Sequence, residues 1–188
     1  MILQIIKFNE SHERLAPELT DILRKAYAHL ADAGMLATSK QSQERTLTRL
    51  RGGESFLGFL NSELAGTITI MKDHNLEPIP WFKESGVFWF TQFAIRQGLQ
   101  GTGFGAELLA FAEPFALAKG ANELALDTSE NAESLIEWYR NRGYRFIEHC
   151  KLPGVSYRSI VLSKKLRIPL DRLDFSIRYS LCQNGQWI

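Results

Sequence analysis

Charge of one sign is the first thing this sequence lacks. Lys and Arg number 22 against 21 Asp and Glu, a formal net charge of +1. The basic excess or stripe of a nucleic-acid-binding surface is therefore missing, although a nest of backbone amides can hold an anion without any net charge. Cysteine is scarce: Cys150 and Cys182 stand in no metal-ligand spacing, and they read as reduced, partly buried thiols with no metal to hold. No apolar run approaches the ~20 residues of a membrane span. The apolar opening at residues 1–7 is too short for a signal peptide, and no charged segment precedes it. Repeats, low-complexity tracts and Ser/Gly-rich linkers are absent. The expectation is a cytoplasmic protein with no membrane or nucleic-acid partner, and 188 residues are enough for one core but short for two.

What is there begins with a strand pattern over residues 2–8. Asn9, Glu10 and Ser11 offer cap chemistry, but Ser11 is followed three residues later by Arg14 rather than Glu, an incomplete capping box. Apolar residues then recur at helical spacing over residues 12–33, with Gly34 as the stop. A second helix is expected over 42–50. The period changes to strand-like at 55–60 and 64–71, with Asn61, Ser62 and Glu63 as the hairpin turn. Residues 74–86 carry Pro78 and Pro80 and read as a loop, and 87–95 is strongly β-prone. A glycine-rich turn at 98–105 precedes a helix running to residue 119, inside which Pro114 should kink the helix or end its first segment near Glu113. A strand at 123–127, a helix at 132–141 and strands at 145–150 and 157–162 complete the order β-α-α-β-β-β-α-β-α-β-β. That order argues for one α/β or α+β domain with a mixed sheet of six to seven strands and about four helices.

The turn Gln100-Gly101-Thr102-Gly103-Phe104-Gly105 sits between an apolar strand and a helix. Two readings fit it. It is either a plain strand-to-helix connection or a phosphate cradle. The first turn of a helix leaves its N–H groups unpaired, the helix dipole makes that end positive, and glycines remove the Cβ atoms that would hold an anion away. A P-loop is excluded, because Ala106-Glu107 stand where Lys and Ser/Thr are needed. A dinucleotide fold expects an acidic residue about 20 residues on, a separation Asp127 satisfies, but the hairpin-type strands before the turn and the missing second half of a doubly wound sheet oppose it.

Phe93-Ala94-Ile95 followed by Gln100-Gly101-Thr102-Gly103-Phe104-Gly105 resembles the acetyl-CoA signature of the GCN5-related N-acetyltransferases (the GNAT family). Downstream, Trp138-Tyr139-Arg140-Asn141-Arg142-Gly143-Tyr144 resembles that family's second signature, a tyrosine four residues before a Gly-Phe or Gly-Tyr pair. The likeness covers residues 1–166. Residues 167–188 would be an extension, apolar enough to dock on the domain or on a second subunit. The resemblance implies a GNAT-like fold and acetyl-CoA as cosubstrate. The backbone of Phe93, Ala94 and Ile95 would pair with the pantetheine arm, the amides from Gln100 to Gly105 would bind the pyrophosphate, and Tyr139 would sit near the CoA sulfur. The family often has Asn seven residues before this tyrosine. Ala132 holds that place here, and Asn131, one residue earlier, is the offset candidate for the contact.

The chemistry so implied is acetyl transfer to a primary amine, on a small molecule or a protein, by direct attack in a ternary complex. A non-catalytic acyl-CoA sensor is the alternative, against which Tyr139 argues. An alkylamine with a pKa near ~10.4 is neutral in about one molecule in 2,500 at pH 7, so a base is useful. Asp127, ending the strand before the Tyr139 helix, is the candidate, with Glu130 after it in the loop; both also suit ordinary turns or caps. A strand amide such as that of Ile95 can stabilise the oxyanion. Tyr139 is the candidate general acid for the departing thiolate, although its ring equally suits the core, and Trp138 cannot share its helix face. His29, His74 and His149 lack a spaced acidic partner, and His12 reads as a helix-start surface residue. Trp81 and Phe82 read as cover for the sheet or as an acceptor-pocket wall. A homodimer is compatible with the reading.

Overall fold

The computed structural model describes residues 3–28, 40–72, 78–153 and 155–167. The expectations for the end of the first helix and Gly34, for His29, His74 and Cys182, and for the extension past Arg167 fall outside these residues. Strands β1 (Gln4–Lys7), β2 (Glu54–Leu60), β3 (Glu63–Met71), β4 (Val87–Ile95), β5 (Glu123–Ser129), β6 (Arg145–Cys150) and β7 (Ser159–Lys165) form one sheet in the order β1-β2-β3-β4-β5-β7-β6. Helices α1 (Ala16–Ala26), α2 (Gln43–Arg51), α3 (Phe104–Ala118) and α4 (Glu133–Arg140) flank it. The element order and the mixed seven-stranded, four-helix architecture agree with the sequence pattern.

Local differences have physical causes. Residues 10–15 form a 3₁₀ turn and α1 begins only at Ala16, with Pro17 in its first turn, where a missing N–H costs nothing. The capping box is present after all, built from Asn9 instead of Ser11. The Asn9 side chain accepts from Ser11 N–H at 3.0 Å, while His12 Nδ1 accepts from Asn9 N–H at 3.1 Å. The hairpin turn is two residues, Asn61 and Ser62, both at positive φ, and Glu63 already pairs with Leu60. α3 runs through Pro114 without ending near Glu113, since buried Phe115 and Ala116 beyond the proline hold the last turn on the sheet.

Alternation along the strands divides the core. On one face, α3 and α4 place Leu108, Leu109, Ala112, Ile136 and Tyr139 over Phe56, Ile68, Phe90, Leu126 and Leu162. On the other, α1 and α2 place Leu19, Leu23, Ala26 and Leu50 over Leu57, Leu64 and Ala94. Beyond them Ile79 and Phe82 cover Val87, Trp89, Ala125 and Val161. Each fully buried Leu or Phe contributes about 1.5–3 kcal/mol. Among the described residues no helix is long and apolar enough to cross a membrane, and no group of three or more His, Cys, Asp or Glu could hold a metal ion.

Two irregularities shape one end of the sheet. β4 and β5 are the sheet's parallel pair, and they pair only over Val87–Trp89 and Glu123–Ala125. Past those residues no strand among the described residues covers the facing edges, so a gap opens at the carboxyl ends of the pair, where open α/β sheets commonly take ligands. Within the same stretch β4 carries a bulge: Thr69 opposes Thr91 but Thr67 opposes Ala94, one residue more on β4 than on β3. Gln92 takes φ +51° there, a conformation unusual for a side-chain-bearing residue. The bulge reverses the alternation. Trp89 faces the α1/α2 side before it and Ala94 after it, while Phe90 and then Phe93 and Ile95 face α3.

Candidate active site

The strained bulge is held by a buried polar network from α2. The Gln41 and Gln92 side-chain amides bond each other reciprocally, at 2.7 and 3.2 Å. Gln41 also donates to Thr46 Oγ1 at 2.8 Å and accepts from Arg49 at 2.9 Å, and Arg24 donates to its carbonyl at 2.7 Å. A second tie comes from α1, where the Tyr27 hydroxyl donates to the Phe93 carbonyl at 2.5 Å. Arg96, just past β4, pairs with Glu18 of α1 and donates to the Leu64 carbonyl at 2.6 Å. The end of β4 is therefore fixed from three directions.

A cleft of about 200 Å³ lies at the gap, and residues from both faces of the sheet line it. Phe93 and Asp127 come from β4 and β5, Tyr139 and Leu135 from α4, Leu23 and Tyr27 from α1, and Arg45 and Arg49 from α2. Asp127 shares the alternation of Ala125 and pairs with Val161, so it faces the α1/α2 side, while Tyr139 belongs to the α3/α4 core. The gap thus separates a carboxylate from a phenol. Asp127 stays open to water along the cleft, yet the protein around it raises its pKa; the Ser159 hydroxyl and then the Arg49 charge work against that rise. Burial pushes Tyr27 up to about 12, with the Asp127 charge adding. Burial likewise holds the Tyr139 phenol well above its ordinary value, reinforced by Tyr27 and Asp127 and opposed by Arg142. All three groups line the same cleft.

Tyr139 is only 2% exposed, and its ring packs against Phe90, Phe93 and Tyr144. Core packing and cleft lining therefore belong to the same side chain. Trp138 turns aside, with the Arg142 guanidinium 3.7 Å over its ring.

The glycine turn lies exposed beyond β4. Gly101 and Gly103 have φ +77° and +101°, and a Cβ at either would meet open space, so backbone conformation rather than crowding favours glycine there. Gly103 is the N-cap of α3 and no side chain caps that end. The first intrahelical bond runs from Glu107 N–H to Gly103, which leaves the Phe104, Gly105 and Ala106 amides without intrahelical partners. Gln100 donates to the Ile95 carbonyl at 3.2 Å and Thr102 to the Leu99 carbonyl at 2.6 Å, shaping the turn. A Cβ on Gly105 would sit 3.5–3.7 Å from Ile95, Phe93 and Trp138, so the turn packs directly against the cleft wall. The Phe104 side chain is core.

Some candidates lie elsewhere. Asn131 is exposed in the turn before α4 and does not line the cleft. Glu130 is engaged by Arg158 at 2.6 Å and lies 3.6 Å from His149, so this histidine has an acidic neighbour that sequence spacing did not reveal. Phe82 stacks on Trp89 at 5.1 Å as sheet cover, and neither it nor Trp81 lines the cleft. Cys150 is a free thiol, partly buried. Sequence reasoning missed Tyr27, Arg45, Arg49, Gln92 and Tyr157. The basic pair at i, i+4 on α2 was the available signal, since that spacing puts both on one helix face.

Residues 16–144, more than half of the chain, match the family model described as Acetyltransferase (GNAT) family. No curated protein matches. Among solved structures, a GNAT family acetyltransferase from Elizabethkingia anophelis with acetyl-CoA bound is similar at 19% identity and TM-score 0.62, covering 87% of this chain and 98% of its own. A Bacillus subtilis acetyltransferase in complex with CoA is 21% identical at TM-score 0.62, covering 88% and 100%. The ribosomal-protein-S18-alanine N-acetyltransferase of Escherichia coli is 13% identical at TM-score 0.66, covering 92% and 99%.

Proposed function

Because the chain belongs to the GNAT acetyltransferase family, we propose that it moves an acetyl group from acetyl-CoA to a primary amine by direct attack in a ternary complex. The observation that carries this reading is the gap between β4 and β5, with Asp127 on one side and Tyr139 on the other. The residues present suit the cosubstrate. The uncapped first turn of α3, with Gly101 and Gly103 beside it, offers unpaired amides to a pyrophosphate. The uncovered edge of β4 from Phe93 to Ile95 offers backbone groups to an extended amide arm. The two solved relatives that carry acetyl-CoA or CoA support the same choice.

Acetyl-CoA supplies a thioester carbonyl as the electrophile. The chain's residues must manage two protons, because an ammonium that becomes an amide sheds both; one finishes on the CoA sulfur and the other leaves to solvent. Asp127, its pKa raised by its surroundings yet open to water, is suited to take the first and pass it outward. A backbone amide at the β4 edge, such as that of Ile95, serves the developing oxyanion. Tyr139 keeps its proton and presents it toward the sulfur. Its raised pKa makes it a hydrogen-bond donor first, although the burial that raises it also raises the pKa of a thiol beside it.

CoA should raise the Tm, as any ligand of the native state does, and thiol release from acetyl-CoA should depend on an added amine. Stabilisation by CoA with no transfer to any amine of a broad panel would favour the sensor. No stabilisation at all would remove the CoA assignment.

A further inference from the structure

The half of the cleft contributed by α1 and α2 carries a charge pattern that acetyl transfer by itself does not require. Among the described residues, the charged lining of the cleft consists of Arg45 and Arg49 of α2 and Asp127 of β5, which faces them. The two arginines are one helical turn apart on α2, and so share a face. Arg49 is positioned from behind by its bond to Gln41 Oε1 at 2.9 Å. Its charge is felt by Asp127 and by Tyr157, on the opposite wall. Arg45 is exposed at the mouth and makes no ion pair among the described residues. Leu23, Leu152 and Val155 add a small apolar surface.

Neither arginine is placed to serve the glycine turn. That turn opens α3, on the other face of the sheet from α2. A simple alkylammonium ion entering this space would find one carboxylate to attract it and two guanidinium groups to repel it. An amine that also carries an anion would meet complementary charge at both ends, and a guanidinium matches a carboxylate in a two-pronged geometry that an ammonium cannot offer.

Resting on the acetyltransferase reading, we infer that the acceptor is a small amino carboxylate, its amine directed at Asp127 and its carboxylate held by Arg45 and Arg49. In the transfer, the nitrogen–acetyl bond forms and the carbon–sulfur bond breaks. The carboxylate end is unchanged; it serves to hold the amine at the gap.

The test compares free α-amino acids with their α-carboxamides as acceptors, each pair measured as kcat/KM in the wild-type protein. Charged hydrogen bonds of this kind are expected to favour the carboxylate by about 10–100-fold. Arg45→Gln and Arg49→Gln should each drive that ratio toward one, mostly through KM, and Arg49→Lys should keep part of it. Because Arg49 also supports Gln41, Arg49→Gln is read only if its Tm shift with CoA is retained; Arg45, exposed and unpaired, supplies the cleaner variant. Equal use of carboxamides or plain alkylamines, with no effect of either arginine on the ratio, would overturn the acceptor assignment and leave the acetyltransferase standing. Absence of both CoA stabilisation and transfer to any amine would take down the two together.

Discussion

Replacing Asp127 by Asn deletes one negative charge at the gap with almost no change in volume, and it separates catalysis from stability. At pH 7 the neutral fraction of an amine with pKa near ~10.4 is about one in 2,500, a deficit of roughly 4.6 kcal/mol. A positioned base typically recovers ~10²–10⁴-fold in rate. Since Asp127 is open to water in the cleft, a water path should replace part of it, and kcat/KM should fall by about 100-fold at pH 7. The variant depends on amine already neutral in solution. Its rate should therefore climb about tenfold per unit between pH 7 and pH 9, while the wild type rises less steeply. For stability the sign is opposite. The carboxyl's folded pKa is raised, so the fold prefers the protonated acid. The stability this gives is full below the unfolded pKa and is lost as pH rises through the folded one. Because the carboxyl is also open to water, the penalty on its ionised form at neutral pH is small, and Asp127→Asn should match or slightly exceed the wild-type Tm. That advantage should fade as pH falls through the folded pKa of the wild-type carboxyl. Steady-state kinetics with chemistry rate-limiting, together with thermal melts from pH 4 to 8, read both effects. Full kcat/KM at pH 7 would remove Asp127 as base. A Tm that drops at neutral pH and recovers in acid would mean that its attraction to Arg49 outweighs its desolvation.

Tyr139→Phe keeps a ring packed among Phe90, Phe93 and Tyr144 and loses the hydroxyl; kcat should fall about 10–100-fold with Tm and CoA affinity nearly constant, and unchanged kcat would assign protonation of the sulfur to water. Gly103→Asp adds a Cβ at φ +101° and a negative charge at the uncapped end of α3; isothermal titration should show CoA binding weakened at least tenfold, and wild-type affinity would remove the anion cradle. Gln41→Leu removes the amide that Gln92 and Arg49 both bond; the loss should be about 1–3 kcal/mol, a Tm drop of about 2–12 °C by calorimetry for a chain of this size, with kcat reduced because the bulge loosens.

Much of the fold was legible because its signals are local. The apolar run of β4, the glycine turn and the Tyr139–Gly143 spacing each lie within a few residues of one another in sequence, and each maps onto the expected element. The base candidate was read as a strand end, whereas β5 runs on to Ser129 and holds Asp127 within the β7 ladder. What could not be read is whatever two distant segments make together. The splay of β4 from β5 depends on where a parallel ladder stops. The bulge at Gln92 carries no sequence mark, since Thr91-Gln92-Phe93 continues a β-prone run and the positive φ is imposed by Gln41, far away in sequence. The same reason hid Tyr27, which matters because its hydroxyl reaches a β4 carbonyl, and misplaced Glu130, which the β5–β7 pairing delivers to Arg158. Asn9 with His12 shows a milder version, a cap whose partner was a residue type the usual motif does not name.

The bulge also ties the two halves of the proposed site to one another. Without the extra residue, Phe93 and Ala94 would exchange faces, and the β4 edge proposed for the cosubstrate would be turned over. The conformation at Gln92 costs on the order of 1–3 kcal/mol, so it persists only where something holds it. What holds it is Gln41, and Gln41 is also what orients Arg49. The arginine proposed for the acceptor and the strand edge proposed for the cosubstrate therefore share one buried amide. On the proposed acceptor reading, an anion held by Arg49 would steady the Gln41 amide that braces the β4 bulge, whereas loss of that register would move the Phe93 carbonyl away from Tyr27. If the acceptor binds there, its binding and the shape of the β4 edge would be linked by contact rather than by proximity alone. The linkage has a direction that can be measured: an amino carboxylate bound at the arginines should tighten CoA binding, and by reciprocity CoA should lower the acceptor's dissociation constant by the same factor.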